Sequence, residues 1–101
     1  MRFQSKIREL RLQRGLLQRQ VASAIDIDSA IYCKIEKGDR QANINHVRAL
    51  AIFYEIDFEE LRRLWVAEKL YEILESESDA NGILNLVAED IIEYRKCNNR
   101  K

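Results

Sequence analysis

Between positions 18 and 43 the chain gathers side chains suited to gripping a polyanion and reading hydrogen-bonding edges. Arg19, Lys34, Lys37 and Arg40 supply cations, Gln18, Ser29 and Asn43 supply polar groups, and Ala30 supplies a methyl. Projected at about 100° per residue, Ile31, Tyr32 and Ile35 share one arc of a short helix. Ser29, Ala30, Cys33, Lys34 and Lys37 share the opposite arc. One apolar face and one small, polar, basic face are what a helix needs to sit on a core and enter a major groove. There, base edges present acceptors, donors and the thymine methyl. Asp28, just ahead of this stretch, has the side chain to cap its first turn.

The chemistry these residues offer is non-covalent. One histidine, His46, and three glycines assemble no Ser/His/Asp set, paired carboxylates, metal cluster or phosphate-cradling loop. No catalytic residue, cofactor or metal is expected, nor a small-molecule ligand, and His46 is read as surface. Cys33 and Cys97 lie 64 positions apart with no CxxC pair, which gives neither a zinc spacing nor a disulfide framework. Cys33 on the polar arc reads as a redox switch or as a small groove-facing residue. With no second thiol beside it, the latter is favoured.

The elements that position these groups are helical. The chain has 101 residues, 47% hydrophobic and 34% charged, with no proline, so it has the size and composition of one helical core. Net charge is zero, but residues 1–57 hold ten Lys/Arg against seven Asp/Glu, and residues 58–101 the reverse. The N-terminal part is thus mildly basic, in keeping with local phosphate contact. Nothing resembles a signal peptide or a membrane span, so a cytoplasmic protein is expected.

Apolar periodicity predicts six helices and an all-α fold. Phe3, Ile7 and Leu10 mark the first, ended by Arg14-Gly15. Val21, Ala22 and Ile25 mark a second opening near Gln18, with Ala22 and Ala24 as the small residues where helices cross. The third runs from Asp28 to Gly38. Asn43 caps a fourth, with Ile44, Val47, Leu50, Ala51 and Tyr54 inward. Asp57 and Glu60 open a fifth through Phe58, Leu61, Leu64, Trp65 and Leu70 to about Leu74. Residues 75–82, acidic and ending in Asn-Gly, read as a loop. A last helix carries Ile83, Leu84, Val87, Ala88, Ile91, Ile92 and Tyr94, before a frayed tail from Lys96.

The window GLLQRQVASAIDIDSAIYCKIEKG, Gly15 to Gly38, resembles the lambda-repressor/Cro-like (XRE-type) helix-turn-helix family. The resemblance spans about residues 3–61 and rests on Gly15-Leu16, Gln18, Ala22, Ile27, Ile35-Glu36 and Gly38. It implies a helix-turn-helix at residues 18–37 and an ion pair between Arg11 and Glu36 as scaffold. It also implies backbone contacts from the loop holding Arg40 and Asn43, although Asn43 has the alternative role of a helix cap. The turn departs from the family: Asp26 stands where glycine is usual, at a cost of about 1 kcal/mol. The runs Asp26–Ile31, Lys34–Arg40 and Glu59–Trp65 are similar to regulators associated with restriction–modification systems, which implies control of the protein's own operon.

Together these features point to sequence-specific recognition of double-stranded DNA by a transcriptional regulator. Gln18, Arg19, Lys37, Arg40 and Asn43 are assigned to the phosphate backbone. Ser29, Ala30, Cys33 and Lys34 face the bases, with Asp28 at the helix start. Residues 1–74 form the DNA-binding domain with its long fifth helix. Residues 75–101, the acidic loop and last helix, are expected to dimerise, giving a homodimer on a palindromic operator. The alternative is an adaptor or antitoxin-like protein whose C-terminal helices clamp a protein partner while the helix-turn-helix autorepresses.

Overall fold

The computed structural model describes residues 2–98. Among them are six helices and no strand: α1 (Phe3–Gln13), α2 (Gln18–Ala24), α3 (Ser29–Lys37), α4 (Ile44–Tyr54), α5 (Phe58–Leu74) and α6 (Ala80–Asn98). The all-α expectation holds. The chain divides into two compact units, Met1–Leu70 and Tyr71–Lys101.

In the first unit the apolar stripes meet as their spacing requires. Phe3 and Ile7 of α1, Val21 and Ala22 of α2, and Tyr32 and Ile35 of α3 are buried. Val47, Leu50, Ala51 and Tyr54 of α4 and Leu61 of α5 complete the same core. Ile27 and Ile31 are half-buried against it, so the inward face of α3 is the one projected from sequence. One inward assignment fails. Ala24 is exposed, so Ala22 alone is the small buried residue of α2. On α5 the buried residues are Leu61 and Glu68, while Leu70 is exposed.

The helix ends are chemically specified. Asp28 Oδ1 accepts from Ala30 N at 2.7 Å and starts α3. At its other end Gly38 adopts φ +89°, and a β-carbon there would lie 3.1 Å from Gln4 Nε2. Handedness and close packing therefore both select glycine. Asn43 and His46 cap α4 reciprocally: Asn43 Oδ1 accepts from His46 N at 2.9 Å, and His46 Nδ1 accepts from Asn43 N at 3.3 Å. Asp26 does take the left-handed conformation the turn needs, with φ 59°.

In the second unit the interhelical loop is shorter than its composition suggested. Asn81-Gly82 lies in the first turn of α6 and not in a loop. Gly82 N donates to Asp79 Oδ1 at 3.3 Å, and a β-carbon on Gly82 would collide with that carboxylate. The glycine serves a capping contact, which in sequence looks like a turn signal. Backbone helicity also continues through residues 96–98, where fraying was expected; residues 99–101 lie outside the described residues. No helix among the described residues is long and apolar enough to cross a membrane.

Candidate nucleic-acid interface

A recognition helix is useful only if its orientation is fixed, and α3 is fixed by charge as well as by packing. Arg11 on α1 grips Glu36 on α3 with both Nε and Nη2, the closest approach being 2.7 Å. Its remaining nitrogen donates to Leu16 O at 3.0 Å, which ties in the segment before α2. Both side chains are largely removed from solvent, 12% exposed for Arg11 and 3% for Glu36. Burial pushes the Glu36 carboxyl up. The Arg11 guanidinium, the nearby Tyr32 hydroxyl and the Gln18 amide outweigh burial and hold it below the ordinary range. The Tyr32 and Tyr54 hydroxyls are buried there without a hydrogen bond of good geometry, and burial raises the pKa of both. The scaffold pair implied by the resemblance is present.

On the opposite face of α3, Ser29, Ala30, Lys34 and Lys37 are exposed. These are four of the five residues projected there. The fifth, Cys33, is half-buried, and its thiol donates to Gln18 Oε1 at 2.8 Å. Gln18 Nε2 in turn donates to Glu36 Oε1 at 3.3 Å. The Gln18 side chain thus links α2 to α3 instead of standing free at the surface. Arg19, next in sequence, is exposed.

The loop after α3 carries Arg40 and Asn43, both exposed. The Asn43 carboxamide is engaged as the α4 cap, so its role as cap is established by geometry. His46, the partner in that cap, has a depressed pKa, from burial first and from the Arg40 charge second. Asp28 is likewise committed to capping.

Two contributors lie outside the window that sequence reasoning favoured. Trp65 of α5 donates its indole N–H to Ala42 O at 2.8 Å, pinning the Arg40–Asn43 loop, and Lys69 stacks 3.6 Å above its ring. The only signal in sequence was that a half-buried tryptophan needs an acceptor. Arg8 of α1 lines a polar depression together with Ser5, Lys37 and Gly38, extending the basic surface past the end of α3. Nothing in the linear spacing of Arg8 and Lys37 reveals that proximity. Among the described residues no group of His, Cys, Asp and Glu is arranged to hold a metal.

The arrangement is a groove-sized helix with small and basic groups outward, a buried ion pair behind it, and a pinned loop of exposed cation and caps beside it. Comparison with known proteins agrees. A family model described as helix-turn-helix matches residues 7–61. The cryptic phage CTXphi transcriptional repressor RstR of Vibrio cholerae is 41% identical over 59 residues, covering 58% of this chain and 53% of that protein. The match thus spans about half the length of that repressor. No solved structure matches. From Ile7 to Leu61, the chain belongs to the lambda-repressor/Cro-like, XRE-type helix-turn-helix family.

Proposed function

We propose that this protein is a sequence-specific, double-stranded DNA-binding transcriptional regulator that works as a homodimer on a palindromic operator. The observation that carries the reading is the two-sidedness of α3. Tyr32, Ile35 and Glu36 are buried while Ser29, Ala30, Lys34 and Lys37 face outward. Ser29 hydrogen-bonds a base edge, Ala30 meets a thymine methyl, and Lys34 reaches guanine acceptors, with Cys33 contributing a small surface between them. Arg19, Lys37 and Arg40, joined by the amides at the start of α2 and by the Asn43 region, hold phosphates and set register. Asp28 acts through its cap, by aligning the first turn of α3.

Dimerisation belongs to this reading because one such helix covers too few base pairs for high specificity. Two copies related by a twofold axis place their recognition helices about 34 Å apart on one face of the duplex. Residues 58–94 supply the interface, as the apolar groups exposed on α5 and α6 suggest. Since the matched relative is a repressor, repression of an adjacent promoter is the action we infer.

Selection of bound sites from a random duplex pool tests all of this at once. The expected product is a consensus of two inverted half-sites about 10 base pairs apart centre to centre. A pool that yields no enrichment overturns the reading. The same exposed apolar surface favours a second function, an antitoxin-like adaptor that clamps a protein partner. That alternative predicts a chain that associates poorly and irregularly when purified alone, where the regulator predicts a defined dimer.

A further inference from the structure

Every side chain from Leu84 to Arg95 of α6 is exposed, although half of them are large and apolar. A helix of 19 residues is marginal in water unless an amphipathic face is covered, and contiguous exposed apolar surface marks an interaction site. The pattern on α6 is more specific than general greasiness. Leu84, Val87, Ile91 and Tyr94 follow one another at intervals of three, four and three, the spacing of a coiled-coil seam. With Leu84 and Ile91 at a and Val87 and Tyr94 at d, Ile83 and Asp90 fall at g, and Ala88 and Arg95 at e.

In a parallel, in-register pair each g residue faces the e residue five positions later on the other helix. Here that rule sets Ile83 against Ala88, apolar with apolar, and Asp90 against Arg95, acid with base. The antiparallel alignment that overlaps the same four seam residues sets g against g and brings Asp90 towards Asp90 of the other copy. Like charges flanking a seam are unfavourable. The flanks are therefore complementary in one orientation and repulsive in the other.

We propose that α6 pairs with α6 of a second copy of this chain as a parallel, in-register two-stranded coiled coil, with Asp90 of one protomer opposite Arg95 of its partner. The proposal rests on the dimeric reading above and adds its surface, orientation and register.

The test uses the full chain carrying Cys33→Ser and Cys97→Ser, into which Val87→Cys is introduced. Parallel, in-register helices bring the two d positions together, so mild oxidation is expected to yield an interchain disulfide from Val87→Cys alone. Separately, Asp90→Lys is expected to weaken dimerisation roughly tenfold at low salt, and adding Arg95→Asp to restore it. Circular dichroism confirms that each variant stays helical. Disulfides that form only when Val87→Cys chains are mixed with Ile91→Cys chains reveal antiparallel pairing and overturn the proposal. A dimer by sedimentation with neither cross-link, or no rescue by the charge swap, places the interface elsewhere. That result overturns the proposal and leaves the dimeric regulator standing. A monomer at micromolar concentration, with and without selected duplex, overturns both.

Discussion

Arg11 and Glu36 are held together by three hydrogen bonds across 25 residues of sequence, and the pair orients α3 against α1. Because both groups are buried, removing one strands the other. Glu36→Ala is expected to lower stability by about 3 kcal/mol, more than a surface ion pair of ~0.5 kcal/mol would lose. Urea unfolding measures this. A loss below ~1 kcal/mol would show that solvent reaches Arg11 freely. The sign of the pH dependence follows from the depressed carboxyl of Glu36. Its stabilisation is complete above the ordinary carboxylate range and disappears as pH falls through its lower folded pKa. Glu36→Gln should flatten that acid limb.

The exposed residues of α3 and of the following loop should fail in different ways. Lys34→Ala or a bulky replacement of Ser29 is expected to cost ~1–3 kcal/mol of binding and to change preference at particular base pairs. Lys37→Ala or Arg40→Ala should weaken all sequences alike and reduce the salt slope by about one counterion each. Titrations of selected and scrambled duplexes at several salt concentrations separate the two classes. Unchanged affinity and preference in Lys34→Ala would remove α3 from the role of reader.

His46 reports on the loop beside it. Its imidazole accepts a hydrogen bond within the α4 cap and feels the charge of Arg40, and its pKa lies below the usual histidine range. Arg40→Ala should raise that pKa, as seen by NMR titration of the ring protons. A depressed folded pKa means the cap contributes fully above the ordinary imidazole range and weakens as pH falls through the folded value. A downward movement in Arg40→Ala would contradict the electrostatic assignment.

Among the described residues, two non-glycine residues occupy the left-handed region, Asp26 at φ 59° and Glu55 at φ 55°. Glu55 ends α4, where glycine is the residue of least strain, so Glu55→Gly should raise stability by roughly 0.5–1 kcal/mol. Asp26→Gly should gain less, because aspartate tolerates this conformation better than glutamate. Thermal melts of the two variants give the order, and a larger gain at Asp26 would reverse the reasoning.

Helix positions, the caps at Asp28, Asn43 and Gly38, and the two-faced character of α3 were all legible in the sequence. Each depends on neighbours within a few residues, where the 3.6-residue period and local hydrogen bonding leave few choices. Family resemblance added the Arg11–Glu36 pair, which periodicity alone does not imply. Local signals misled where one residue type serves two purposes: Gly82 packs under the Asp79 carboxylate inside α6 although Asn-Gly usually marks a turn. Only tertiary structure decided that Gln18 turns inward to Cys33 and Glu36, that Trp65 pins Ala42, and that Arg2 and Gln4 converge on buried Glu68. Those contacts join residues 15 to 66 positions apart. Their geometry is set by how whole helices pack, and no spacing read along one chain encodes it.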